Sequence, residues 1–318
     1  MSQAILFEAD QTTQLDDLGS TPSRLGGHEL LWVDVDRRDP EDAERVAAAL
    51  GLDEHTRNRL TEPHDHADFH DHGRYLRITT YAPRPDDDDR LHAVECVVGE
   101  NWVVTAHDQP VPVLDDFASR LSGSGDTGSL DGPGFLAALL EWVLGSYTEA
   151  FDRIEERLED FDVQAMRGHG SDSDIDTLVS MRRIVGGLRR ALAAHRTALV
   201  ALTHPELEAL GDSDSRDRFV ALFSRFESTM QEARDAREAI VGSFDVLIAR
   251  SEHQTNHTMK VLTLASVILL PGSVIAGVMG MNFKVPVFDH PAVFWVVLAA
   301  IVGFGVVALV LARVRRWI

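Results

Sequence analysis

Apolar positions change period twice along the chain. LLWVDVD (30–36) is a short alternating apolar run, and RYLRITTYAP, LHAVECVVGE and WVVTAHD follow as three more, separated by polar turns such as RPDDDD. Such runs bounded by turn residues predict strands. Between them, PEDAERVAAALGL opens on Pro40 with acids in its first turn and apolar residues at helical spacing, and DEHTRNRLTEP (53–63) reads as a second short helix stopped by Pro63. An α/β domain over 1–121 is expected. After the Gly/Ser/Asp-rich stretch 122–134 the strand signal vanishes. Residues 135–167 and 172–203 predict two long amphipathic helices broken at RGHGSDSD, giving a helical hairpin over 134–214 with acids crowding the exposed face of its first helix. A last helix starts near Ser215 and meets no proline until Pro271. Run to Met279, it would be ~100 Å long, far too long for a compact core. It reads as a stalk over 215–260 that continues into an apolar segment.

Residues 261–283 and 291–312 are each uncharged and long enough to cross the ~30 Å hydrocarbon core of a bilayer. Both lengths and the absence of charge argue against two buried helices of a soluble domain. The short stretch 284–290 joins them as a hairpin. Lys260 precedes the first span and Arg313, Arg315 and Arg316 follow the second, in a basic tail over 313–318. The positive-inside rule puts both termini in the cytoplasm and the short loop outside, in a cell membrane. Trp295 and Trp317 sit near opposite interfaces.

The second span is smoothly apolar, suited to lipid. The first carries small and hydroxyl residues, and Asn256, Met259, Thr263, Ser266, Leu270, Ser273 and Gly277 recur at steps of three and four. Such a seam serves close helix packing in a membrane, or it lines a water-filled path. Two helices per chain cannot enclose such a path, so conduction requires several copies around an axis, each hydroxyl then becoming a ring.

Net charge is −21 over 318 residues, and the two lysines are Lys260 and Lys284. An acidic, lysine-poor surface suits concentrated salt; a GC-rich genome would also favour arginine. Either origin disfavours nucleic acid as a partner. Cys96 is the single cysteine, which excludes a disulfide framework and fits a small buried residue on a strand in a reducing compartment. The N-terminus has neither the basic nor the apolar region of a secretory signal. No phosphate loop, nucleophile elbow or HExxH appears, so no enzyme is expected.

At Gly280-Met281-Asn282 the chain becomes specific. The stretch NHTMKVLTLASVILLPGSVIAGVMGMNF resembles the first membrane helix of CorA-type magnesium/cobalt transporters, which ends in a Gly-Met-Asn motif. LWVDVDRRDPEDAERVAAALGL, SYTEAFDRIEERLEDF and the RRWI terminus are similar to family segments in the same order. The resemblance implies a funnel-shaped homopentamer that passes magnesium, with cobalt or nickel as side substrates. It implies a selectivity filter at Gly280, Met281 and Asn282, with Asn282 meeting the hydrated ion. Pore-lining positions fall on Asn256, Met259, Leu262, Ser266, Leu270, Ser273 and Gly277, with the apolar constriction at Met259 and Leu262. Lys284 departs from the family, which commonly has Glu there, leaving Asp289 as the loop carboxylate. A ZntB-type zinc transporter shares the architecture but typically has a Gly-rich segment after its motif, where this chain has FKVPVF. A rival of another class is a non-transporting, membrane-anchored metal sensor or scaffold.

The family's regulatory aspartates map onto Ala221 and Asn58, neither a carboxylate, so magnesium sensing is expected to be weak or moved to other acids such as Asp245. Close by, EPHDHADFHDHG interleaves His64, His66, His70 and His72 with acids including Asp68. Imidazoles at alternate positions of an extended segment share a face and suit zinc, nickel or cobalt. A solvated acidic loop is the plainer reading.

Overall fold

The computed structural model describes residues 2–8, 12–15, 25, 29–62, 68–84, 91–123, 131–167, 172–204, 207, 213–281 and 291–315. Contacts divide it into Met1–Ser243 and Phe244–Ile318.

The first unit is built on a seven-stranded sheet: β1 (Gln3–Phe7), β2 (Thr12–Leu15), β3 (Leu30–Asp36), β4 (Phe69–Asp71), β5 (Leu76–Pro83), β6 (Leu91–Val98) and β7 (Trp102–His107). Its order is β2-β1-β3-β7-β6-β5-β4. β3 and β7 pair in parallel and every other neighbour is antiparallel. β3 is buried at all seven positions, as expected of a central strand covered on both faces. Leu31, Val33 and Val35 join a core with Ala43, Val46 and Ala47 of α1 (Pro40–Leu50) and Leu60 of α2 (Glu54–Thr61). Trp32 points to the opposite face, against Phe117 of α3 (Pro112–Gly123) and Phe135 of α4 (Gly132–Arg167). The sheet is thus the middle of three layers.

Local chemistry sets the helix ends. Pro40 occupies the first turn of α1, and Gly51 closes it at φ 65, returning its N–H to Ala47 and Ala48; a left-handed cap favours glycine. The Asp53 carboxylate caps α2 by accepting from the Thr56 N–H at 2.7 Å. Cys96 lies fully buried on β6.

The strands expected at LLWVDVD, RYLRITTYAP, LHAVECVVGE and WVVTAHD are β3, β5, β6 and β7. The added strands β1, β2 and β4 are short and partly exposed, so each carries little apolar pattern of its own. The second hairpin helix, expected over 172–203, is two helices: α5 (Asp172–Ala194) and α6 (Arg196–Leu202), with a turn at His195. His195 is fully buried. Its Nε2 accepts from the Tyr81 N–H at 2.9 Å, with Thr80 Oγ1 at 2.8 Å. Nδ1 lies 3.3 Å from the Leu192 carbonyl. Both ring nitrogens are satisfied by the neutral imidazole, and burial pushes its pKa down to about 4.

The expected stalk is α7 (Ser213–Met279), a single helix of 67 residues that keeps Pro271 inside it. At ~1.5 Å per residue it is roughly 100 Å long. The last helix, α8, spans Pro291–Val314.

Candidate functional site

Within the second unit, α7 and α8 are long and apolar enough to cross a membrane. They meet along a narrow stripe. On α8 the half-buried or buried positions are Val293, Val297, Ile301, Gly305, Ala308 and Ala312, at steps of three and four. On α7 the matching stripe runs through Leu264, Ile268 and Gly272. A β-carbon added at Gly272 would stand 3.3 Å from Ile301 Cγ2, and one at Gly305 would stand 3.6 Å from Ile268 Cγ2. Small residues let the two backbones approach where the hydrophobic effect supplies no drive.

The predicted seam lies on the other side of α7. At about 100° per residue, Met259 and Gly277 fall roughly 180° from Ile268, and Thr263, Ser266, Leu270 and Ser273 fall within about 40° of that opposite line. Leu262 and Asn256 flank it, each roughly 60° away. Exposure follows the same division: Met259 is 57%, Leu262 62% and Leu270 63% exposed, and Asn256, Thr263, Ser273 and Gly277 are also exposed. Ser266, half-buried, donates its hydroxyl to the Leu262 carbonyl at 2.9 Å, which leaves its oxygen free to accept. The helix ends at Met279, where Gly280 N–H donates to the Ala276 carbonyl at 3.0 Å and Met281 N–H to Val278 at 3.2 Å. Asn282, Lys284 and Asp289 lie outside the described residues, as does Trp317.

Of the histidine cluster, His64 and His66 lie outside the described residues. His70 is on β4 and His72 follows it, their rings 6.1 Å apart on one side of the segment, as alternation requires. Both are engaged. His70 Nδ1 lies 3.2 Å from Asp68 and 3.0 Å from the Arg77 guanidinium. His72 Nδ1 lies 2.8 Å from Asp53, yet burial holds its pKa below the ordinary histidine value. Among the described residues no three histidines, cysteines or carboxylates are placed to hold a metal ion. Asn58 and Ala221 are both exposed, on α2 and α7, and Asp245 is exposed on α7.

Next to these histidines is a group that sequence reasoning missed. Arg77, fully buried, donates to Glu95 Oε1 at 3.0 Å and to Asp68 Oδ2 at 2.9 Å. Arg59 and Arg37 approach Glu95 Oε2 at 3.6 and 3.8 Å, and Thr79 donates its hydroxyl to the same oxygen at 2.9 Å. Burial pushes the Asp68 carboxyl up, but the Arg77 hydrogen bond and charge outweigh it and leave it below its usual value. Burial lowers Arg37, against Asp108 and Glu95. The signal was present: an arginine inside RYLRITTYAP and a glutamate inside LHAVECVVGE, both at core-facing strand positions.

The family model of CorA-like Mg2+ transporter proteins matches residues 27–316. The cobalt/magnesium transport protein CorA of Methanocaldococcus jannaschii is 23% identical over 305 residues, covering 92% of each chain. Its complete structure, described as a magnesium transporter, superposes with a TM-score of 0.83 over 100% of this chain and 99% of its own. The divalent cation transporter CmaX of Pseudomonas aeruginosa is 24% identical over 301 residues, 91% of this chain and 88% of that one. The ZntB cytoplasmic domain of Vibrio parahaemolyticus, 11% identical, covers 79% of this chain and 98% of its own at a TM-score of 0.63.

Proposed function

The chain belongs to the family of CorA-like Mg2+ transporter proteins, and from that premise we propose that it is a divalent-cation channel or transporter admitting magnesium along a path enclosed by several copies. The observation that carries this is the two-sided α7. One side packs on α8, and the opposite side presents Met259, Leu270, Ser273 and Gly277, all exposed, with Ser266 half-buried among them. In lipid, a run of hydroxyls facing away from the chain's own second helix calls for another copy or for water.

Magnesium sheds its waters reluctantly and keeps several when bound, so a selective ring must read the hydrated ion. The Asn282 side chain supplies a neutral carbonyl oxygen, repeated by symmetry in a pentamer, that accepts hydrogen bonds from those waters without trapping the cation. Deeper in, Met259 and Leu262 form apolar rings that close the path by excluding water. Lys260 and the Arg313–Arg316 cluster hold both termini in the cytoplasm and the loop at 284–290 outside.

Sealed liposomes carrying the purified chain, loaded with ion-sensitive dyes, test the reading. Magnesium entry at least several-fold above protein-free vesicles is expected, with cobalt and nickel slower. Zinc entering in preference to magnesium would replace the cargo. No flux of any divalent ion would leave a membrane-anchored scaffold.

A further inference from the structure

Between α5 and α7 lies an open groove of about 380 Å3, lined by Arg189 of α5 and by Arg234, Arg237 and Glu238 of α7. Val185, Leu188 and Leu192 of α5 and Ala233, Ala236 and Ile240 of α7 are buried, and the four lining residues stand exposed on the flanks of those apolar lines. Arg237 and Glu238 are three and four residues beyond Arg234, so all three share one side of α7. Arg189 belongs to the stretch RRIVGGLRR (182–190). On its flank of α5, Gly186 falls between Arg182 and Arg189 at steps of four and three. A β-carbon built at Gly186 would meet only Arg190 Nη1, at 3.5 Å, so that flank is left open among guanidiniums.

These cations lack the partners that surface arginines usually find. Among the described residues, Arg189 and Arg237 reach no carboxylate, and Arg234 donates to the neutral Gln231 Oε1 at 2.9 Å. Three guanidiniums against the one carboxylate of Glu238 leave an excess of two positive charges in the groove, on a chain whose net charge is −21. Each guanidinium presents a planar fork of N–H donors that matches two oxygens of a phosphate group. Arg234 and Arg237 are ~4.5 Å apart along the helix axis, so their forks meet neighbouring phosphates of a chain more readily than one phosphate together. Arg189 approaches from the other wall. Glu238 repels any anion, a penalty that a highly charged chain overcomes and a single phosphate does not. None of the four lining residues is aromatic or apolar, so a nucleobase has nothing to stack on.

We propose that this groove binds the phosphate chain of a polyphosphate, as free inorganic triphosphate or as carried by a nucleoside triphosphate, and that it prefers the magnesium-free form. Magnesium is itself held by substrate phosphates, and one bound ion cancels two of their negative charges and occupies oxygens that the arginines would otherwise contact. Occupancy of the groove therefore rises as free magnesium falls. On the reading that the chain admits magnesium, on which this consequence rests, the groove reports scarcity of the ion to the hairpin and to α7, the helix that continues into the first span.

Isothermal titration calorimetry of the full-length chain in mild detergent, with sodium triphosphate as the probe and no magnesium present, tests the site. Saturable binding is expected, with ATP comparable and orthophosphate weaker by about tenfold or more. Arg189→Gln and Arg237→Gln together weaken triphosphate binding by about tenfold or more, with the oligomer unchanged on size-exclusion chromatography. Glu238→Gln tightens binding severalfold and narrows the gap to orthophosphate. Magnesium chloride equimolar with triphosphate weakens binding severalfold. Absence of triphosphate binding, or equal affinity in the double arginine variant, would overturn the site. Orthophosphate binding as tightly, or ATP binding far more tightly than triphosphate, would overturn recognition by the phosphate chain, and indifference to magnesium would overturn the preference for the free form. Binding is read without flux, so a chain that takes triphosphate here yet carries no ion into liposomes would overturn the transport reading and leave the groove standing.

Discussion

Glu95 holds three guanidiniums in the interior of the α/β layer, and removing it leaves them facing one another without a buried counter-charge. Glu95→Ala is expected to cost about 3–5 kcal/mol, the range for breaking a buried pair by deleting one partner. Chemical denaturation checks it, and a loss below about 1 kcal/mol would mean that water reaches the cluster. His195 gives a pH dependence with a definite sign. Its pKa in the folded chain is about 4, against the ordinary value near 6.5. Between those values the unfolded chain binds a proton that the folded chain refuses, so stability present above pH 6.5 is lost as pH falls toward 4, by roughly 3 kcal/mol. Melting curves from pH 7 to 4 should show that slope, reduced in His195→Gln; an unchanged slope would assign it to other groups. At the mouth of the path, Asn282→Ala or Asn282→Asp should abolish selective magnesium uptake while the oligomer still assembles. Growth of a magnesium-dependent strain on either variant at the wild-type rate would remove Asn282 from the filter. The Gly280-Met281-Asn282 motif and the seam of small and hydroxyl residues were legible in the sequence. The arginine cluster was not, because charges that meet across β5, β6, α2 and the end of β3 are up to 58 residues apart in sequence.

At the scale of the element, α7 is the part whose periodicity spoke most clearly. The apolar constriction proposed at Met259 and Leu262 predicts that Met259→Ser or Leu262→Ser gives a leakier pore, since an apolar ring excludes water only while it stays apolar. Leak of magnesium from loaded vesicles at several times the wild-type rate is expected; equal or slower leak would move the gate toward Leu270. The four strands read from the sequence are those covered on both faces or packed under helices, where apolar pattern is strong. β1, β2 and β4 escaped notice because strands of three to five residues, at the sheet's edges or next to one, show little of it. The break at His195 escaped for a different reason. Nothing in its neighbours stops a helix, and the turn is held by the hydrogen bonds that the ring makes to β5, a tertiary demand that local propensity does not contain.

For the whole molecule, the proposed path for a divalent cation makes an electrical driving force the expectation. An inside-negative potential contributes about 2.3 kcal/mol per charge per 100 mV, so imposing one on the liposomes should accelerate magnesium entry severalfold. Dissipating it with an ionophore should remove the gain; insensitivity to potential would indicate electroneutral exchange. The sequence by itself determined the apolar spans, the stalk that continues into the first of them, the two-sided character of α7 and the Gly-Met-Asn terminus. Each of these is written in residue type and spacing along a local stretch of chain. Which side of α7 meets α8 was decided only in three dimensions, because Gly272 and Gly305 set a close approach between two helices that are separate segments of the chain. The same holds for Glu95 among its arginines and His195 beneath β5. A buried polar group is stable only with its partners, and those partners come from elements that neighbour it in space rather than in sequence.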